Sequence, residues 1–351
     1  MPGSPALRPA GQAGITPAEV ESVQHVGVIG GGAWGTALAA SAVRAGRRAT
    51  LWALEPEVVE AVNLRHENAV FLPGVPLDPA VRATADMAEA VAADAVLMVC
   101  PAQHMRAVSA RAVAAGARGP LVICAKGIEQ DTLMLMSDVL AETAPGVPVA
   151  VLSGPTFAGE LARNLPTAVT LAADDAVLGA ALIEALGHAR FRPYQSHDVV
   201  GAQIGGAVKN VLAIAAGIVA GARLGDNAGA ALITRGLAEI MRLGDALGAD
   251  RATLMVLSGL GDLVLTCGSI QSRNMSLGKA LGEGRRLADV LGERRSVAEG
   301  VFSAVAVAAL AERKGIEMPI CAAMDRVLNR GATVAEEIEG LLSRPFKLET
   351  V

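Results

Sequence analysis

Hydrophobic and polar positions follow two regimes along the chain. From His25 to about Tyr194, short continuous apolar runs alternate with stretches of helical character. His25–Gly30 (HVGVIG), Ala49–Trp52, Asp94–Cys100 (DAVLMVC), Pro120–Ala125 (PLVICA) and Val147–Leu152 (VPVAVL) lack polar alternation. Strands that are covered on both faces, as in a parallel sheet, read this way. Shorter strands are expected near Ala168–Ala172 and Ala189–Tyr194. Between the first two strands, a helix is expected from about Trp34 to Ala45, closed by Gly46. From about Asp198 the strand-like runs stop. Ala228–Gly248 sets Ala231, Leu232, Leu237, Ile240, Met241 and Leu247 on one apolar stripe. Further helices fit Leu254–Leu257, Ser296–Arg313 and Pro319–Arg330. The pattern predicts a flexible tail over residues 1–24, an α/β domain with a parallel sheet over 25–197, and an all-α domain over 198–351.

Composition narrows this picture. The chain is 52% hydrophobic but only 2% aromatic, so its cores rest on aliphatic residues. A net charge of −5 argues against a nucleic-acid partner, which would need a basic stripe. Cys100, Cys124, Cys267 and Cys321 are scattered, with no metal-ligand spacing, which suits a reduced, cytoplasmic protein without metal. Residues 1–24 have no apolar run of the kind a secretory signal needs. Ile204–Gly221 is apolar enough to consider for a bilayer. Lys209 and Asn210 near its start favour a buried helix instead, so no integral membrane segment is expected.

The first strand runs into Gly30-Gly31-Gly32-Ala33-Trp34-Gly35, which matches G-x-G-x-x-G between a strand and a helix. In a Rossmann-like dinucleotide site one glycine makes the tight turn, the next lets backbone approach a pyrophosphate, and the last lets helix and strand pack closely. Gly30, Gly32, Trp34 and Gly35 are therefore cofactor-binding candidates. Glu55 lies twenty residues after Gly35, where an acid can bind the ribose 2′-hydroxyl of NAD. Leu54 beside it offers no cation for a 2′-phosphate. This favours NAD(H), with NADP(H) as the alternative. A solvated Glu55 before Pro56 is the plainer reading.

Only five of the 30 basic residues are lysines: Lys126, Lys209, Lys279, Lys314 and Lys347. Arginine does not release its proton in practice, whereas a buried lysine can titrate near neutrality. Lys126 follows a strand, where α/β sheets present ligands, and Lys209 sits in an apolar, glycine-rich helix. Either could serve proton transfer, and Lys209 could equally be a salt-bridged core residue. Asp262 could hold Lys209 or simply follow a turn. Gln271-Ser272-Arg273-Asn274 offers donors suited to a phosphate or carboxylate, or an ordinary helix cap at Ser272.

Taken together, GGGAWGTALA at 30–39, FLPG at 71–74, AKG at 125–127, SGPTFA at 153–158, GGAVKNVLAIAAG at 205–217, ALITRGLAE at 231–239, SGLGDLVLTC at 258–267, QSRN at 271–274 and EMPI at 317–320 resemble the soluble bacterial-type glycerol-3-phosphate dehydrogenase family. The resemblance implies NAD(P)-dependent interconversion of sn-glycerol 3-phosphate and dihydroxyacetone phosphate, supplying glycerol 3-phosphate for glycerophospholipid synthesis. It implies Lys209 as general acid/base and Lys126 as a contact to both substrate and cofactor. Gly154, Thr156, Asp262, Ser272, Arg273 and Asn274 fall at substrate positions. Ala158, Arg273, Val297 and Glu299 fall at cofactor positions. Many members carry a basic residue where this chain has Leu54, which again favours NAD(H). The competing readings are a dehydrogenase of hydroxy acids or sugar acids and a non-catalytic NAD(H)-sensing regulator. A homodimer is a further expectation, with the apolar helices over 205–241 offering a face.

Overall fold

The computed structural model describes residues 22–293, 298–346 and 348. Residues 1–21 of the expected tail and the cofactor candidate Val297 lie outside the described residues.

The strand-rich part begins with β1 (His25–Ile29), α1 (Ala33–Arg44), β2 (Arg48–Trp52), α2 (Pro56–Glu60), β3 (Glu67–Asn68), β4 (Leu72–Pro76) and β5 (Val81–Thr84). It continues through α3 (Met87–Val91), β6 (Ala95–Met98), α4 (Met105–Ala114), β7 (Leu121–Ile123), α5 (Met136–Thr143) and β8 (Val149–Ser153). It ends with α6 (Ala158–Ala162), β9 (Thr167–Ala172), α7 (Ala176–Leu186) and β10 (Phe191–Ser196). Helices alone follow: α8 (Val199–Gly221), α9 (Asp226–Leu247), α10 (Arg251–Leu254), α11 (Asp262–Gly268), α12 (Arg273–Gly282), α13 (Leu287–Gly292), α14 (Glu299–Lys314), α15 (Pro319–Asn329) and α16 (Val334–Leu342).

Eight strands form one sheet in the order β10-β9-β8-β7-β6-β1-β2-β5. The strands from β8 to β5 are parallel to their neighbours, and so are β9 and β10 to each other. The pair β8–β9 is antiparallel, so the expected parallel sheet carries one reversal. Every residue of β1 and β6 is buried, in keeping with their unbroken apolar sequence. Chain order reverses between β1 and β6, whose C-terminal ends open a crevice of the kind that takes nucleotides in α/β sheets. The two-stranded hairpin β3–β4 stands apart from the main sheet. Its strands were not anticipated, since β3 is two residues long and β4 (LPGVP) contains two prolines and a glycine.

The helical part is organised around α8, buried at nearly every position from Val199 to Ile218. It is the one helix among the described residues long and apolar enough to cross a membrane, and 89% of its apolar window is buried inside the protein. Over 205–241 the exposed positions run from Ala220 through the first half of α9. Small residues let the helices around α8 approach backbone to backbone. A Cβ on Gly278 of α12 would stand 1.9 Å from the Ile214 carbonyl oxygen, and one on Gly217 2.1 Å from that of Met275. Gly221 and Gly282 repeat the contact one turn on, at 2.1 and 2.4 Å. The helix expected at Leu254–Leu257 lies earlier, as α10, and a five-residue π-helical turn, Leu257–Gly261, delivers the chain to Asp262.

Candidate active site and cofactor turn

The turn after β1 is shaped by what its glycines leave out. Gly30 has φ +136°, a conformation costly for any other residue, and a Cβ there would sit 2.9 Å from the Val99 carbonyl oxygen beside β6. A Cβ on Gly35 would lie 1.9 Å from the Gly30 carbonyl oxygen, so only glycine lets α1 seat on the turn. Gly32 differs: its backbone is ordinary (φ −68°), and a Cβ there would meet nothing within 4 Å. Its value is the open space above the start of α1. That helix has no side-chain cap and no acid in its first turn, so its leading N–H groups and positive dipole end face that space. Trp34 Nε1, in the same turn, is buried with no hydrogen-bond partner. These features fit a dinucleotide diphosphate. At the end of β2, Leu54 is 69% exposed, and Glu55 is half-buried at the N-cap position of α2, without a capping side-chain bond.

The second centre joins three distant parts of the chain. Lys126 stands three residues beyond β7, Lys209 in the interior of α8, and Asp262 at the start of α11. Both ammonium groups bind the Asp262 carboxylate: Lys126 Nζ donates to Oδ2 at 2.6 Å, and Lys209 Nζ donates to Oδ1. Lys209 also donates to Thr266 Oγ1 at 3.0 Å, and Lys126 to the Gly154 carbonyl oxygen at 3.1 Å. Asp262 is completely buried and Lys209 nearly so. Gly205 and Gly206 allow this convergence: a Cβ on the first would strike the Ser258 carbonyl oxygen at 2.2 Å, and one on the second would crowd Lys126 Cγ at 3.2 Å. Burial pushes the Lys209 ammonium down to about 8; Asp262 opposes that shift and Lys126 adds to it. A lysine in this state exchanges a proton near neutral pH. Lys279, by contrast, pairs with Glu283 at the surface at 3.8 Å.

The polar run predicted from sequence lies at the N-terminus of α12. Ser272 is its N-cap, accepting from Met275 N–H at 3.2 Å, so the plain capping role is present and its own O–H stays available to donate. Asn274 is buried and ties helices together: Nδ2 donates to Asn210 Oδ1 at 3.0 Å, and Oδ1 accepts from Gly300 N–H at 3.1 Å. Arg273 is exposed at the first helical position. Half-buried Glu299 begins α14; burial pushes its carboxyl up, and Arg273, Lys126 and Lys209 pull it back. On the sheet side, Gly154 (φ +146°) packs against Val169 just past β8. Thr156 Oγ1 and Ser153 Oγ are buried without partners, and Ala158 opens α6.

Thr266 was not singled out from sequence, though its place one turn after Asp262 was a usable signal. A separate surface cavity of about 700 Å³ is lined by Asp138, Asp174, Asp198 and Asp250 among others and contains none of these residues. Its acidic wall is ill suited to a phosphate.

Comparison with known proteins agrees with this geometry. Residues 25–178 match the N-terminal model of NAD-dependent glycerol-3-phosphate dehydrogenase, and residues 198–339 match its C-terminal model. The chain is 64% identical over 330 residues to glycerol-3-phosphate dehydrogenase [NAD(P)+] of Rhodospirillum rubrum, covering 93% of this chain and 94% of that one. It is 59% identical over 328 residues to the enzyme of the same name from Parvibaculum lavamentivorans, covering 93% and 98%. The crystal structure of glycerol-3-phosphate dehydrogenase from Coxiella burnetii superposes with a TM-score of 0.88 at 38% identity, over 92% of this chain and all of that one. With a glycine turn built for a diphosphate, two lysines on one buried aspartate, and both family models matched in order, the chain belongs to the NAD-dependent glycerol-3-phosphate dehydrogenase family.

Proposed function

We propose that the protein is an oxidoreductase acting on a CH–OH group. It interconverts sn-glycerol 3-phosphate and dihydroxyacetone phosphate, with NAD(H) favoured over NADP(H), and supplies glycerol 3-phosphate for glycerophospholipid synthesis in the cytoplasm. The observation that carries this reading is the buried Lys126–Asp262–Lys209 bridge, in which one ammonium is held near its titration point.

A nicotinamide held at the cofactor turn would supply the hydride exchanged with C2 of dihydroxyacetone phosphate or glycerol 3-phosphate. Lys209 donates the proton that the developing alkoxide at O2 requires, and as a neutral amine it removes that proton in the reverse direction. Lys126 brings positive charge to the same oxygen, where it acts most strongly as charge builds in a water-poor site. Asp262 fixes both amines and keeps their charges from being buried uncompensated. Ser272 and Arg273, with the dipole of the α12 N-terminus and the remaining Nδ2 hydrogen of Asn274, hold the substrate phosphate. Binding energy at the phosphate thereby orients the reacting carbon. Gly154 and Thr156 line the substrate, the orphaned Thr156 hydroxyl being ready to bond it. Gly30, Gly32, Trp34 and Gly35 take the cofactor diphosphate, Glu55 the ribose, and Ala158 and Glu299 the remaining cofactor wall.

The same reading divides the chain into a dinucleotide domain over 25–197 and a substrate domain over 198–351, with a homodimer as its assembly. The test is to follow absorbance of the reduced nicotinamide with purified protein, dihydroxyacetone phosphate, and NADH or NADPH in parallel. Faster loss of NADH supports the proposal. Faster loss of NADPH keeps the reaction and overturns the cofactor preference. No loss of either, in protein that binds NADH, overturns the substrate.

A further inference from the structure

The hairpin β3–β4 sends one side chain into the cofactor turn. Asn68, at the end of β3, is completely buried although it lies 32 residues from Thr36 and 37 from Gly31. Its Nδ2 donates to the Gly31 carbonyl oxygen and to Thr36 Oγ1, each at 2.8 Å. Its Oδ1 accepts from Phe71 N–H at 3.1 Å, within its own hairpin. Both amide hydrogens and the carbonyl are therefore engaged, and no part of the side chain is left to touch a ligand.

The consequence follows from peptide geometry. A trans peptide is planar, so its C=O and N–H point in opposite directions. Holding the Gly31 carbonyl on the protein side fixes the Gly32 N–H toward the other side. The surroundings of Gly32 are open, a Cβ there meeting nothing within 4 Å. Gly31 and Gly32 have no side chains to restrain this peptide, and Gly30 before them is in a conformation open to few residues. An unheld peptide here would be free to flip at small cost.

We infer that Asn68 is a positioning residue for the cofactor, locking the Gly31–Gly32 peptide so that its N–H faces the diphosphate. The inference rests on the dinucleotide site proposed above. It adds that the hairpin, and not the sheet and α1 alone, contributes to the affinity of the turn. The Thr36 hydroxyl forms the second anchor, tying the first turn of α1 to the same amide.

Asn68→Asp tests this with the shape unchanged. The carboxylate keeps the bond from Phe71 but loses both donors and turns an oxygen toward the Gly31 carbonyl. NADH affinity, read by nicotinamide fluorescence, should weaken about tenfold or more, the scale of an unmet buried hydrogen bond. The KM for dihydroxyacetone phosphate at saturating NADH should stay within about twofold, because the phosphate site is untouched. Asn68→Ser, which leaves the Gly31 carbonyl only the long 3.5 Å contact from the Thr36 hydroxyl, supplies the same reading if the aspartate variant does not fold. Unchanged NADH affinity in a folded variant overturns the inference. So does a loss of stability with NADH affinity and substrate KM worsening together, since that is damage to the fold. If the wild type binds NADH but does not reduce dihydroxyacetone phosphate, the substrate proposal fails and this inference stands.

Discussion

The cofactor turn and the lysine bridge sit in one protein but are built by opposite means. The turn works by leaving things out: four glycines within six residues, an uncapped helix start, and open space over Gly32. Its binding groups are backbone N–H groups, which carry no formal charge. The bridge works by crowding charge into the interior, with a fully buried carboxylate between two ammonium groups. Burying such ions costs several kcal/mol each unless partners are in place, and taking one partner away costs about 3–5 kcal/mol. The turn is thus a shape, tolerant at open positions and intolerant at packed ones. The bridge is an electrostatic balance, and the same imbalance that lowers the Lys209 pKa makes it useful.

The sharpest break of this comparison is at Lys209. Lys209→Ala should lower turnover about 10²–10⁴-fold, the usual share of a positioned acid or base. NADH affinity, measured by fluorescence, should stay within about twofold, since the turn does not depend on the bridge. Lys209→Arg should fail as well, because arginine keeps the charge but does not cycle the proton. Near-normal turnover in either variant would remove Lys209 from the chemistry. In the wild type, pH should separate the two directions. Lys209 is a protonated donor below about 8 and a neutral acceptor above it. Reduction of dihydroxyacetone phosphate should therefore fall as pH rises through about 8, while oxidation of glycerol 3-phosphate rises over the same range. Profiles that move together would point to a different titrating group.

The same contrast governs what could be read from sequence. The turn is contiguous, and its glycine spacing between a strand and a helix is visible without coordinates. The bridge is scattered over residues 126, 209 and 262; composition and spacing marked its lysines only as rare residues in apolar or strand-end surroundings, and their roles came from the family resemblance. Whether Asp262 held Lys209 or merely followed a turn was open; the structure shows it holding both lysines. Strand direction was not legible at β9, because an apolar run reads the same either way, and the antiparallel pairing depends on how the chain returns after α6. Asn68 was invisible for a related reason. In a polar stretch, RHEN, an asparagine looks like a loop residue, and its burial exists only once the hairpin folds onto the turn. At Ser272 the structure shows the capping role of the sequence reading, and the phosphate role is part of the proposed function.

Two glycines three residues apart give the next test within the turn. Gly35→Ala places a methyl 1.9 Å from the Gly30 carbonyl oxygen, a backbone atom that cannot step aside. It should destabilise the protein by about 1–3 kcal/mol, seen as a lower melting temperature before any ligand is added. Gly32→Ala places its methyl in open space with an allowed backbone, so the ligand-free melting temperature should hold or rise slightly. Its NADH affinity should nevertheless weaken about tenfold, because the methyl stands where the diphosphate must approach. If Gly32→Ala bound NADH normally, the open space over the turn would not be the diphosphate site.

The smallest expected effect belongs to the exposed rim of the same region, at Leu54. Just past the end of β2, this side chain is 69% exposed, next to half-buried Glu55. An arginine there would add a fork of donors able to meet a 2′-phosphate, and would stand beside the carboxylate proposed to take the 2′-hydroxyl. Solvent screens an exposed pair, so the gain should be modest: kcat/KM for NADPH should rise about three- to tenfold, with that for NADH falling no more than about twofold. The KM for dihydroxyacetone phosphate and the pH at which the two directions cross should not move, because neither depends on the rim. An unchanged ratio of NADPH to NADH use would mean that Leu54 does not face the ribose. A shifted pH profile would mean that the rim and the bridge are coupled, and the separation of shape from charge drawn here would fail.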